Sequence, residues 1–189
     1  MSRQTVRTRD EMTAEQQAGY DTLVEQRGMR DDGTMGGPFD PWLLNTELSH
    51  RMRGMGAFLW ARTSLDRGIV ELAISITGRF WRSNVEWASH APRAVEYGIP
   101  QSVIDAVMAE QRPDGAAEEQ LVCYDVCVAL HEQHELPREL YDRAVVTFGE
   151  QGLVEMIGVV GYYTTVSMTL NAFEVEVGPG VEPPFERGP

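Results

Sequence analysis

Three side chains on one stretch of this sequence have the types and the spacing of acid–base chemistry. Ser83, Glu86 and His90 follow one another at intervals of three and four residues, the spacing that aligns side chains along one face of an α-helix. Histidine exchanges protons near neutral pH, and a neighbouring carboxylate raises its pKa and fixes which ring nitrogen carries the hydrogen. On an open surface a Glu86–His90 pair would contribute only about 0.2–0.5 kcal/mol, but Phe80, Trp81 and Trp87 stand beside it as an enclosing wall. Upstream, Glu71 sits between Val70 and Leu72 in an apolar run. A carboxylate in such surroundings either finds partners or has its pKa raised by desolvation, which suits it to carry protons. The plainer alternative is a glutamate near a helix start that pairs with Arg67, four residues back.

The elements that must position these residues read as helices throughout. Thr13 to Gly28 opens on a capping threonine and closes at a glycine-rich loop over 31–38. From Thr46 to Arg62, Leu48, Met52, Met55 and Leu59, extended by Phe58, fall on one face. Arg67 to Trp81 is apolar nearly all round, which predicts an interior helix. Ser83 to Tyr97 follows and stops at Gly98 and Pro100, and Pro100 to Ala109 is short. Helices over Ala117 to Glu135, Pro137 to Phe148 and Glu150 to Phe173 complete the series. Apart from the ambiguous Val175 to Val177, no alternating strand pattern with hairpin turns occurs. The expectation is all-α: a helical bundle in one domain over residues 1–175, with an extended or disordered tail over 176–189. The helices at 67–81 and 150–173 are alike in apolar character and carry Glu71 and Glu155 near their starts, which hints at an internal duplication.

Composition bounds the function. The 189 residues suffice for one domain with a sizeable core. A formal charge of −13 lacks the basic footprint of a nucleic-acid binder, though a local arginine or helix N-terminus can still hold a small anion. Only Cys123 and Cys127 are present, and the polar, charged beginning MSRQTVRTRDE has no secretory signal, so a cytoplasmic protein is expected. The longest uncharged run, Met156 to Leu170, is shorter than the roughly 20 residues that span a bilayer and reads as a core helix, with no membrane partner. Cys123, Cys127, His131 and His134 share helical spacing and suggest a zinc face, but one helix supplies all four at poor tetrahedral geometry, and core cysteines with solvated histidines are the simpler reading.

The segment from Glu71 to His90 resembles the signature region of the carboxymuconolactone decarboxylase and alkyl hydroperoxidase D superfamily. In the peroxidase branch a glutamate is followed, after eleven residues, by Cys-x-x-Cys-x-x-x-His; here Glu71 and His90 hold the ends of that frame while Ser83 and Glu86 occupy the cysteine positions. Asn84-Val85-Glu86-Trp87-Ala88-Ser89-His90 is similar to the Tyr- or Asn-x-Glu-Trp-x-x-His variant of a cysteine-less subgroup. The likeness extends to Gly37-Pro38-Phe39-Asp40-Pro41-Trp42-Leu43, to residues 148–155, to Gly161-Tyr162-Tyr163 and to residues 170–174, nearly the whole chain. It implies an all-helical bundle of the alkyl hydroperoxidase D-like type in a homo-oligomer, a trimer or hexamer, with sites near subunit contacts. Without a thiolate and a resolving thiol the peroxidase cycle has no chemistry, so a thiol peroxidase is excluded.

The reading that follows is a cofactor-independent acid–base enzyme of decarboxylase, isomerase or hydratase type, acting on a small organic acid, lactone or carbonyl compound. His90 is the expected general acid or base, Glu86 its partner or a second proton carrier, Glu71 a buried relay and Ser83 a donor to the substrate. An anionic substrate wants a cation, for which Arg79 or Arg82 is the candidate, and Trp87, Tyr162 and Tyr163 are candidate pocket residues. Two alternatives use the same residues: a non-catalytic oligomeric protein that binds a small ligand, and a metal-dependent enzyme with Glu71, Glu86 and His90 as ligands.

Overall fold

The computed structural model describes residues 3, 7–31 and 33–186, and all regular structure among them is helical. Residues 187–189 of the expected tail, and residues 1, 2, 4–6 and 32, lie outside the described residues. A 3-10 turn at Arg9–Glu11 precedes α1 (Ala14–Arg27), α2 (Phe39–Trp42), α3 (Thr46–Ala61), α4 (Arg67–Phe80), α5 (Asn84–Glu96), α6 (Gln101–Met108), α7 (Glu118–Glu132) and α8 (Arg138–Ala172). The starts of α1, α3 and α4 are capped by Thr13, Asn45 and Asp66, whose side chains accept from first-turn N–H groups. The two helices expected over 137–148 and 150–173 are the two arms of α8, which breaks between them at Gly149, φ 71° and ψ 167°. Val175 to Val177 has no strand.

α4 occupies the centre, in contact with α5, α7 and α8. Every residue from Gly68 to Gly78 is buried, as a helix that is apolar all round requires. α5 lies close along it because a glycine stands at each end of the seam. A Cβ on Gly68 would come within 2.7 Å of the Tyr97 carbonyl, and one on Gly78 within 3.1 Å of the Glu86 Cβ. That approach faces Glu71 on α4 with His90 on α5. A smaller cluster of Leu23, Met35 and Leu43 ties α1 to the loop before α2.

The apolar face of α3 is mostly uncovered. Only Ser49 and Leu59 are buried, while Leu48, Met55 and Phe58 are exposed along with Trp60. The interior is already filled by α4, α5, α7 and α8, so α3 rests on the outside of α8. Leu59 sits against Gly158 and the Tyr162 hydroxyl occupies the space beside Gly56. α8 itself is longer than the uncharged run suggested, and by length and composition is apolar enough to cross a membrane. Its Leu153, Met156, Val159, Val160, Val166 and Leu170 nevertheless belong to the core of the bundle.

The tail returns to the bundle. Residues 176–186 run without helix, and Phe185 is buried against Trp87 with ring centroids 6.0 Å apart. The Asn84 side chain grips its backbone twice: Nδ2 donates to the Phe185 carbonyl at 3.0 Å and Oδ1 accepts from the Phe185 N–H at 2.7 Å.

Candidate active site

The glutamate, the second glutamate and the histidine that the sequence aligned converge in the α4–α5 seam. Glu71 is fully buried, and its two oxygens are taken by different partners. Oε1 accepts from Arg67 Nη2, one helical turn back, and Oε2 lies 2.5 Å from His90 Nδ1. Glu71 therefore pairs with Arg67 and with His90 at once. Burial pushes the Glu71 carboxyl up, but the His90 hydrogen bond and the charges of His90, Arg67 and Arg93 outweigh it and hold Glu71 below the usual carboxylate range. An ionised Glu71 only accepts, so the hydrogen on His90 resides on Nδ1 and is donated to Glu71. Nε2 is on the side of Glu86.

Glu86 is in the opposite state. Its Oε2 is 3.5 Å from His90 Nε2, too long and poorly directed to count as a hydrogen bond, and is buried without a partner. Burial is the chief reason its carboxyl is raised above the usual range; the Glu71 charge adds to the rise, while His90 and Arg93 offset part of it. Two carboxylates thus flank one imidazole with their protonation pushed apart, the arrangement that assigns acid and base roles in a proton-transfer site.

Ser83 begins α5 as its N-cap residue, yet its side chain makes no capping bond. Its Oγ is buried and without a partner. Each orphaned buried polar atom costs about 1–3 kcal/mol, and two of them, Ser83 Oγ and Glu86 Oε2, stand one turn apart on the same helix. Tyr163 places its ring edge-on to His90, with centroids 5.3 Å apart, and burial holds its hydroxyl protonated. Tyr162, its neighbour, turns towards Trp42 and α3. Trp87 is buried on the far side, against Phe185.

The two arginines expected to serve the site do not reach the triad. Arg79 donates from Nε to the Met108 carbonyl at 2.8 Å and pairs with Glu110 at 3.1 Å. Arg82 donates to the Glu186 carbonyl at 3.2 Å, and both guanidinium groups lie over the Phe185 ring. The cation that touches the triad is Arg67, which also donates to the Trp60 carbonyl and sits between the Trp60 and Tyr97 rings, 4.5 and 5.5 Å from their centroids. Its four-residue spacing from Glu71 was readable; the two aromatic rings, from different elements, had no sequence signal.

The second constellation does not assemble. Cys123 and Cys127 are fully buried and unpaired, and Cys123 Sγ lies 3.7 Å from the Ile69 carbonyl. Contact with Cys127 and burial raise the Cys123 thiol well above its ordinary value. His131 stacks on Phe80 at 4.4 Å, with Nε2 3.2 Å from Thr77 Oγ1, and burial lowers its pKa to about 4. His134 is exposed. Among the described residues no cluster of histidine, cysteine, aspartate and glutamate has the geometry to hold a metal ion.

No family model and no curated protein matches the sequence. Solved structures do. The chain superposes on an alkylhydroperoxidase AhpD core, an uncharacterized peroxidase-related protein from Ralstonia eutropha JMP134, with a TM-score of 0.73 at 11% identity, over 94% of this chain and 93% of that one. It also superposes on the debrominase Bmp8, solved as a cysteine-to-alanine variant with 2,3,4-tribromopyrrole, with a TM-score of 0.70 at 11% identity, over 93% of this chain and 91% of that one. At that identity the likeness is one of fold: the chain has the all-helical alkylhydroperoxidase D-like architecture implied by its residues around Glu71 and His90.

Proposed function

We propose that the chain is a cofactor-independent acid–base enzyme of decarboxylase, isomerase or hydratase type, acting on a small organic acid, lactone or carbonyl compound. The observation that carries this reading is the pair of buried, unpartnered atoms, Ser83 Oγ and Glu86 Oε2, beside the hydrogen-bonded Glu71–His90 pair. Glu86, whose burial favours its protonated form, is the group that meets the substrate and gives its proton to the oxygen of a developing enolate. His90 Nε2 takes the proton that leaves the substrate carbon and returns one there, and the imidazolium formed in between is balanced by Glu71, itself steadied by Arg67. The hydroxyl of Ser83 is left to donate to a substrate oxygen. The peroxidase and debrominase descriptions of the structural neighbours are not carried over, because Ser83 and Glu86 stand where the resemblance expects two cysteines.

The test needs no knowledge of the natural substrate. The protein is incubated in deuterium oxide with a panel of small ketones, oxo acids and enol lactones, and carbon-bound hydrogen exchange is followed by NMR. Wild-type protein is expected to accelerate exchange in at least one member of the panel, and His90→Asn to abolish the acceleration. Equal rates for wild type, His90→Asn and buffer would sink the reading.

A homo-oligomer belongs to the same proposal. Leu48, Met55 and Phe58 of α3 lie outward beside Val154, Ile157 and Met168 of α8, all of them exposed. No charged residue interrupts α8 between Met156 and Leu170, so two copies meeting there avoid the repulsion that the charge of −13 imposes elsewhere. Light scattering on wild type and Ile157→Glu is expected to show an oligomer and its dissociation; a monomeric wild type would refute this part. The unpaired cysteines accord with a cytoplasmic setting.

A further inference from the structure

We infer that the start of α5 is the seat of a small carboxylate anion, held by the Ser83 hydroxyl, the open N–H groups of the first turn of α5 and the Arg82 guanidinium. A cavity of about 310 Å³ opens at this end of the helix, between the beginning of α5, the end of α8 and the tail. Ser83, Asn84 and Val85 form one wall, and Leu170 and Val175 contribute an apolar one.

The first N–H groups of a helix have no acceptor within it, and together they carry a partial positive charge. In α1, α3 and α4 a capping side chain accepts from these donors. At α5 the capping position holds a serine whose side chain does not. Its Oγ is instead buried and unpartnered in a residue that lines the cavity. A hydroxyl there serves an anion as donor while the helix supplies the field.

The charges around the cavity select the ligand. Arg3 is paired with Glu174 at 2.9 Å, so these two cancel on the rim. Among the described residues Arg82 faces no carboxylate in a salt bridge; it commits one of a guanidinium's five donors to the Glu186 carbonyl at 3.2 Å. Glu186 lines the same cavity. With Arg3 and Glu174 cancelled, Arg82 and Glu186 are left, and in a chain of charge −13 that balance suits a single negative charge better than the double charge of a phosphate. The volume lies at the lower end of ligand pockets, which run from about 300 Å³, and admits a short carbon skeleton. Glu86 follows Ser83 by three residues but does not line the cavity, and Ser83 is the residue common to the seat and the proposed proton-transfer site. That the anion is the acid group of the substrate rests on the proton-transfer reading above; its binding does not.

Calorimetric titration of the full chain with levulinate and with methyl levulinate tests the seat, alongside Ser83→Ala, Arg82→Gln and the exchange assay on the same samples. Saturable levulinate binding is expected, with the neutral ester at least tenfold weaker. Each substitution should weaken levulinate about tenfold, the scale of one charge-assisted hydrogen bond, while Ser83→Ala melts no lower than wild type because it removes an orphaned hydroxyl. Acid and ester binding alike, inorganic phosphate binding more tightly than levulinate, or unchanged affinity in both variants would overturn the inference. Levulinate binding without exchange in any compound would refute the proton-transfer reading alone, and exchange of neutral ketones without levulinate binding would refute the carboxylate seat alone.

Discussion

Glu71 and Glu155 look alike in the sequence and are used in opposite ways by the fold. Each is a buried acid near the start of an apolar helical stretch. Glu155 Oε2 accepts from the Ser64 N–H and Oγ, both at 2.7 Å, and Oε1 from Gln151 at 3.0 Å. Burial would raise Glu155, but these bonds outweigh it and keep the carboxyl low. Its partners are neutral groups that do not exchange protons at ordinary pH, so the result is a pinned α3–α4 corner. Glu71 is held low as well, by a guanidinium and an imidazole. The lesson is that burial alone does not make a carboxylate a proton carrier; the titratability of its partners does.

That comparison can be broken most directly at the histidine. His90→Asn is expected to lower substrate hydrogen exchange by about 10²–10⁴-fold, the usual worth of a positioned acid or base, whereas Glu155→Gln leaves the rate within about twofold on the same scale. Comparable losses in both variants would erase the distinction. Next comes Glu86→Gln, which keeps shape but cannot transfer a proton. Because the folded-state pKa of Glu86 is raised above the ordinary 4.5, the stability it contributes is full below that value and is lost as pH rises through the folded pKa. Thermal melts from pH 5 to 9 should therefore show the variant gaining on wild type as pH rises; parallel curves would mean that Glu86 is not held protonated.

His131 offers a contrast with His90 on a smaller scale. Its pKa is lowered to about 4 by burial alone, so its contribution is present above its unfolded value of 6.5 and is lost as pH falls towards 4. Melts of His131→Gln across that window are expected to be less acid-sensitive than wild type, with hydrogen exchange near neutral pH unaffected. The smallest effect belongs to Glu155→Gln, which should cost about 1 kcal/mol in denaturant unfolding through weakened hydrogen bonds to Ser64. A much larger loss would show the corner to be more than a local tie.

What was legible in the sequence follows from what is local. Ser83, Glu86 and His90 share a face because helix geometry alone places them there, and α4 announces its burial by having no polar side. The meeting of Glu71 with His90, 19 residues on, needed the close α4–α5 seam and was readable only through the resemblance. Arg79 and Arg82 were near in sequence but turn to Phe185, more than a hundred residues away, a contact with no period to betray it. Of two adjacent tyrosines only Tyr163 turns to the histidine, since neighbouring helical positions point about 100° apart. In α3 the apolar stripe was legible and its cover was not: periodicity reports that a face is apolar, not whether this chain covers it.

The atoms gathered around His90 are carboxylate oxygens, imidazole nitrogens and a hydroxyl, while both sulfurs of the cysteines are sealed in the α4–α7 seam. Sulfur is the side-chain atom that records the oxidising history of a cell, stepping from thiol to sulfenic and sulfinic acid. A centre that keeps the frame of a thiol site but none of its sulfur carries no such record. Under the proposed acid–base reading its working state is set by pH, not by redox poise, and an oxidant burst that would convert a thiol leaves these groups in the same chemical form.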